Sequence, residues 1–284
     1  MIAEDDTFKT TIEVSLSSTG REMRVNGKKV TRVPSVPGMR FAAFFPQDIA
    51  LVLGGPEERR EYLDALLSRA YPSYEAGLRV YRKILAERNV ALKRGASDDQ
   101  ISVHDEQLSH AAAPLVRKRL ETLPVLNTIV EKACARFSLD GVRLRYSPSV
   151  SLEDDIEIAI REALYARRER DRLEGTTTSG PHRDAIEITV SSRSSRYAAS
   201  YGEKKMVALA LRIAEHEFLS ETTGEEHGFI ADDLFSELDA SRRSAIVRYF
   251  LESNTYFMAS ATEKPLAVSD SEGFDIVEMK SQRS

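Results

Sequence analysis

The chain has 284 residues, 42% of them hydrophobic and 30% charged, a balance that fits a globular fold and excludes long disorder. Its 40 basic and 45 acidic side chains leave a net charge of -5, so any nucleic-acid role must come from a local basic face. A single cysteine, Cys134, excludes an internal disulfide and an all-cysteine metal site. No apolar run approaches the ~18–20 residues that span a bilayer, and Ala3-Glu4-Asp5-Asp6 is the opposite of a signal peptide's basic start. A cytoplasmic protein with no membrane partner is expected.

The first fifty residues read as β structure. Ile12, Val14 and Leu16 alternate with Thr11, Glu13, Ser15 and Ser17, the period of a half-buried strand. A second strand, Glu22 to Val25, meets Asn26-Gly27, a strong hairpin signal because both residues tolerate positive φ. Lys28 to Arg32 returns. After the loop Pro34 to Gly38, Phe41 to Phe45 reads as a buried strand ended by Pro46.

The middle is helical. Pro56-Glu57-Glu58 opens a helix with proline and acids in the first turn, running to about Ala70. Further helices are predicted over Pro72 to Lys93, over Ser102 to Phe137 with bends at Pro114 and Pro124, and over Leu152 to Arg172. A short strand is placed at Arg143 to Tyr146. Charge-studded helices between two β-rich segments suggest a helical insertion in an α/β core. Beyond Thr176, strand and helix alternate: a strand at Ile186 to Val190, a helix at Gly202 to Ser220, a buried strand at Phe229 to Ala231, a helix at Ser241 to Glu252, and a strand at Tyr256 to Ala259. That succession implies a parallel crossover.

The most informative segment is Gly228-Phe229-Ile230-Ala231-Asp232-Asp233-Leu234-Phe235-Ser236-Glu237-Leu238-Asp239. Two carboxylates close a short apolar strand, where a parallel sheet places its ligand crevice. Mg²⁺ takes hard oxygen ligands and keeps several waters, so one carboxylate suffices to hold it beside a phosphate. Its neighbour can then orient or deprotonate a water. Equally, an acidic pair can simply cap a loop. Upstream lies Ala199-Ser200-Tyr201-Gly202-Glu203-Lys204-Lys205-Met206. Ser200 and Glu203 form a capping box, structurally sufficient by itself. The same serine, glycine and free amides also suit a terminal phosphate.

Ser-x-Gly-Glu-Lys-Lys opening a helix, a strand ending Asp-Asp, Ser-Glu-Leu-Asp, and a strand leading to Ser260-Ala261-Thr262 together resemble the C-terminal half of an ABC-type ATPase head. The family most resembled is RecF, the bacterial recombination-mediator and replication-repair ATPases. Phe45-Pro46-Gln47-Asp48, the stretch from Gly55 to Asp64, Arg88-Asn89 and Thr177 to Asp184 agree with it, and the similarity covers nearly the whole chain. It implies an α/β fold, an ABC/SMC-type ATPase head with a mixed sheet and flanking helices plus a helical arm insertion. Residues 1–54 would be an N-terminal β part of the head, 55–174 the arm, and 175–284 the C-terminal half of the head.

The same resemblance implies roles for single residues. Asp232 matches the Walker B aspartate associated with magnesium and Asp233 the catalytic carboxylate. Ser200 and Gly202 match the signature motif, which in this family contacts the nucleotide of the opposite subunit. Ser236 to Asp239 match the D-loop at the dimer interface, and Gln47 is a candidate for the Q-loop. ATP and Mg²⁺ are the implied cofactors. The implied partners are gapped DNA with single- and double-stranded parts, a second copy paired on ATP binding, and other recombination-mediator proteins. The implied setting is replication, recombinational repair and the SOS response.

An ABC ATPase also needs a Gly-x-x-x-x-Gly-Lys-Ser/Thr loop, which this sequence does not contain. Gly20 to Lys29 has its glycines too far apart and reads as a hairpin tip. The expectation is a chain truncated at its N-terminus, with a naturally degenerate relative as the alternative. In either case the polypeptide hydrolyses no ATP by itself. Local basic clusters, Arg79, Arg82, Lys83 and Arg88 on one helix and Arg167 and Arg168 on another, are candidate DNA contacts, or else solvated faces interleaved with glutamates. His182-Arg183-Asp184 has no nucleophile elbow beside it, and the histidines lack zinc-ligand spacing. Two functions stay open: an ATP-regulated DNA clamp that helps load a recombinase, and a non-catalytic DNA- or partner-binding remnant.

Overall fold

Phe44 and Ala231 sit opposite each other in a parallel pairing that joins two strands far apart in the sequence. They belong to a computed structural model of the chain, which describes residues 12–17, 20–25, 27–30, 40–139, 141–152, 155–190, 193–194, 200–225, 227–253, 255 and 257–259. Asn26, the loop Pro34 to Gly38, Ala199 and Ser260-Ala261-Thr262 lie outside the described residues.

An antiparallel meander forms first: β1 (Ile12–Ser17), β2 (Gly20–Val25) and β3 (Lys28–Val30). Its second turn contains Gly27 at φ 77°, a left-handed conformation that glycine adopts without steric cost. β4 (Arg40–Phe44) then joins β8 (His227–Ala231) and β9 (Phe257–Ala259) in a parallel sheet of order β4-β8-β9. Residues 228 to 231 are mainly buried, with Phe229 and Ala231 sealed in the core. The expectation of a buried strand holds only on one face of β4: Ala42 and Phe44 are in the core, whereas Phe41 and Phe45 are exposed.

A 3-10 turn, Pro46–Ile49, and a single helical turn, α1 (Ala50–Leu53), lead into three long helices: α2 (Pro56–Ala70), α3 (Pro72–Lys93) and α4 (Asp98–Arg136). Proline opens α2 and α3 at a position where its missing N–H costs nothing. α4 starts four residues before the predicted Ser102, because Ser97 and Gln100 form a capping box. The helix is continuous through Pro114 and Pro124. β5 (Arg143–Ser147), β6 (Ala185–Val190) and β7 (Arg193–Ser194) make a small antiparallel sheet. Between β5 and β6 the single predicted helix is two, α5 (Ile156–Ala166) and α6 (Arg168–Glu174). Arg167 leaves helical geometry at ψ 6°, and its guanidinium donates to the Thr178 carbonyl at 3.0 Å.

α7 (Tyr201–Thr223) is the central element, apolar around nearly its whole girth from Lys205 to Leu219. One continuous cluster joins its Met206, Leu209, Ile213 and Phe218 to Leu63 and Leu66 of α2, to Leu126 and Val130 of α4, and to Phe229 of β8. At about 25 cal/mol per Å² of apolar surface removed from water, such burial is the main force holding these elements together. α8 (Ala240–Glu252) crosses from β8 to β9 and packs Phe250 on Phe229 and Phe257, with ring centroids 5.2 Å and 3.7 Å apart.

Candidate nucleotide-binding edge

The parallel sheet places two chain segments side by side at its C-terminal edge. Beyond Ala231, the Asp232 N–H donates to the Phe44 carbonyl at 2.9 Å, extending the pairing by one residue. The chain then turns sharply: Asp233 has φ 48° and Glu237 φ 61°. Left-handed conformations at non-glycine residues cost of order 1–3 kcal/mol and persist only where the surroundings fix them. Asp232 is exposed and Asp233 half-buried, while Leu234 and Leu238 anchor the turn in the core. Gln47, exposed on the 3-10 turn that follows β4, lies at this same edge.

Its neighbour Asp48 is a structural lock. Asp48 is buried, accepts from the Phe45 N–H at 2.8 Å, and accepts from Arg212 of α7 at 2.7 Å. Arg212 also donates to Glu215 at 2.6 Å. Burial works against the charge of Arg212, but Asp48 and Glu215 outweigh it and raise its pKa.

The N-terminus of α7 approaches the carboxylate turn. Ser200 is its N-cap, accepting from the Glu203 N–H at 3.3 Å, and Glu203 accepts from the Ser200 N–H at 2.7 Å. These bonds hold the Glu203 carboxyl below its usual pKa. Ser200 and Tyr201 are exposed. A methyl added at Gly202 would lie 2.9 Å from Arg242 Nη1 and 3.9 Å from the Glu237 carbonyl. Gly202 therefore faces the D-loop-like turn and the start of α8. Asp239 caps α8, accepting from the Arg242 N–H at 2.9 Å. Ser236 is half-buried beneath the turn. Sequence reasoning missed Lys205, whose ammonium donates to the Asp233 carbonyl at 3.0 Å, the Ser236 carbonyl at 2.8 Å and Ser236 Oγ at 2.7 Å. Its signal was a lysine bordering the apolar run that begins at Met206.

The basic clusters divide. Arg79, Arg82 and Lys83 stand on the exposed face of α3, with Arg79 paired to Glu75 at 2.9 Å. Arg88 must be corrected: it is fully buried, bonded to Asp105 and Asp171 at 2.7 Å and to Thr177 at 2.9 Å. It cannot reach a DNA phosphate. Arg168 is also spent internally, on Asp105 at 2.7 Å, and half-buried Arg167 donates to the Thr178 carbonyl. The helix periodicity placed Arg88 with its neighbours, whereas the acids that turn it inward come from α4 and α6. His182, too, is structural. Its Nδ1 meets the Tyr81 hydroxyl at 2.5 Å and its Nε2 the Thr177 carbonyl at 3.0 Å, and burial pushes its pKa down to about 4.

Among the described residues no cluster of three or more His, Cys, Asp or Glu suited to a metal is present, and no helix is long and apolar enough to cross a membrane. The donor set at the edge nonetheless fits Mg²⁺ beside a phosphate, since that ion needs only one or two carboxylates plus water. The exposed Ser200 cap fits a phosphate brought by another molecule.

No family model matches the chain. Individual relatives do. It is 34% identical over 248 residues to the DNA replication and repair protein RecF of Halalkalibacterium halodurans, covering 83% of this chain and 67% of that protein. It is 31% identical over 261 residues to the protein of the same name from Halothermothrix orenii, covering 87% and 69%. Among solved structures it resembles the recombination mediator protein RecF bound to ATP in the RecFOR pathway, with a TM-score of 0.75, 28% identity, and coverage of 91% of this chain and 72% of that one. The chain thus spans about two thirds of the length of these sequence relatives, with an ABC/SMC-type ATPase-head fold, and it belongs to the RecF family of DNA replication and repair proteins.

Proposed function

We propose that the chain is the DNA-engaging and dimer-forming part of a nucleotide-dependent clamp that works in recombinational repair and helps load a recombinase at gapped DNA. The observation that carries this is the pairing at one edge of an acidic strand tip, exposed Asp232 and half-buried Asp233, with a serine-capped helix start whose Ser200 and Tyr201 are exposed. Asp232 would hold Mg²⁺ and Asp233 would orient the attacking water. Ser200 and Gly202 would meet a phosphate carried by the opposite subunit, and Ser236 to Asp239 would line the subunit boundary. Bound there, ATP with Mg²⁺ would supply the attraction that closes two heads on one another. ATP-bound relatives support the nucleotide, and the name of the curated relatives supports the replication and repair setting. The 55–174 segment would be the arm, its exposed Arg79, Arg82 and Lys83 facing DNA.

A second reading is a DNA- or partner-binding protein without turnover, favoured by one observation: the sequence contains no Gly-x-x-x-x-Gly-Lys-Ser/Thr segment. The two readings share DNA binding and part at nucleotide chemistry. Binding to a gapped duplex, followed by fluorescence anisotropy across a salt series, tests the shared part. Affinity should fall steeply with salt, and replacing Arg79, Arg82 and Lys83 together by alanine should flatten the log–log slope by roughly three. No binding, or an unchanged slope, overturns it. With MgATP added, no turnover is expected of this polypeptide alone. Turnover that disappears in Asp233→Asn would instead show a complete catalytic site.

A further inference from the structure

Lys205 has no role in capping α7 and none in the apolar core that surrounds it. It is buried, 6% exposed, at the head of a run of buried apolar residues from Met206 to Leu211. Its hydrogen bonds, to two carbonyls and a hydroxyl, all go to the turn between β8 and α8 that carries the acids. Two residues of that turn, Asp233 and Glu237, are in left-handed backbone conformations. Ser236 Oγ also donates to the Asp233 carbonyl at 3.2 Å, so the lysine and the serine grip the same oxygen. A positive charge held under carbonyl oxygens stabilises a backbone shape that the residues themselves disfavour. Burial lowers its pKa, while Asp233 and Glu237 oppose that shift.

We propose that Lys205 is a positioning residue: it holds the Asp232-Asp233 turn in the conformation that presents Asp232 to a divalent cation with Asp233 beside it, and ties that turn to the helix whose start carries Ser200 and Gly202. This rests on the assignment of Asp232 to a metal. Lys205 touches neither metal nor nucleotide, and acts through the Asp233 carbonyl. A residue that orients ligands from behind typically changes metal affinity about 10–100-fold when removed. Simple electrostatics has the opposite sign, because deleting a cation beside two carboxylates strengthens cation binding.

Mn²⁺ alone, in place of Mg²⁺, is titrated into the full chain and followed by electron paramagnetic resonance. The site is defined as the binding lost in Asp232→Asn. Lys205→Met should bind Mn²⁺ about tenfold more weakly, and Lys205→Arg should recover most of that loss because it keeps donors and charge. Mn²⁺ binding in Lys205→Met that equals or exceeds wild type overturns the positioning role and leaves the metal assignment standing. Wild-type binding that survives Asp232→Asn overturns the metal assignment, and the role of Lys205 with it. Should Lys205→Met fail to fold, Ser236→Ala removes one acceptor while leaving the ammonium in place. Weaker Mn²⁺ binding there supports the tie, and unchanged binding refutes it.

Discussion

Arg119 of α4 and Asp64 of α2 meet at 2.7 Å inside the helical region, 55 residues apart in sequence. Around them Arg119 also reaches the Pro181 carbonyl at 2.8 Å and Asp184 at 3.2 Å. Asp64 accepts from Tyr74 at 2.5 Å, and Asp184 accepts from Tyr146 and from the Ser149 N–H. One guanidinium therefore fastens α2, α4 and the segment that returns to β6. Its own charge is disfavoured by burial and restored by Asp64, which leaves its pKa raised.

Removing that guanidinium takes the nearest cation from two buried carboxylates, leaving Asp64 with Arg82 at 3.6 Å and Asp184 with neutral donors. Arg119→Met should destabilise the fold by about 3–5 kcal/mol, the usual cost of breaking a buried pair on one side. Urea unfolding followed by circular dichroism measures it as a lower midpoint. A midpoint within error of wild type would show that water or Tyr74 replaces the arginine.

The α3 arginines and lysine separate into structural and surface classes. Arg88→Met should cost about 3–5 kcal/mol, because Asp105 and Asp171 lose a partner in the interior. Lys83→Ala should stay within about 0.5 kcal/mol, as expected for an exposed side chain. Thermal melts of the two variants side by side give the comparison, and similar losses in both would refute the division.

His182 gives the fold a defined response to acid. Its folded pKa is about 4, against an ordinary value near 6.5 in the unfolded chain. As pH falls below 6.5 the unfolded state takes up a proton that the folded state refuses. Stability present at pH 7 is therefore lost progressively down to about pH 4, by roughly 2–3 kcal/mol from this residue. His182→Gln should show a shallower fall in unfolding free energy over that window, measured by urea titrations at several pH values. An equally steep fall would assign the effect elsewhere.

Gly202→Ala tests the helix start without disturbing its interior. The added methyl meets the far end of the Arg242 side chain at 2.9 Å, which can swing aside, so stability should change by no more than about 0.5 kcal/mol. A large fall in melting temperature would mean that Arg242 is held more firmly than a single side-chain end implies.

Much of this was legible in the sequence because it is local. Proline-led helix starts at Pro56 and Pro72, the capping box at Ser200, and the apolar strand ending at Asp232 are each written within a few residues, and each stands where expected. The start of α4 was equally local, in Ser97 and Gln100, but its polar first turn hid it from a reading that follows apolar periodicity. The inward turn of Arg88 depends on acids 17 and 83 residues away, and no pattern within α3 encodes that. Lys205 was overlooked for the same reason, since its partners lie 28 and 31 residues downstream.

α2 and the end of α4 are bonded directly to α7. The Tyr62 hydroxyl donates to the Leu211 carbonyl at 2.8 Å, Arg69 bonds Glu215, and Arg136 bonds Glu217 at 2.9 Å, all onto the helix whose first turn holds Ser200. α2 and the C-terminal end of α4 are thus tied to α7 at three points, so neither can shift without straining the helix that begins after Ser200.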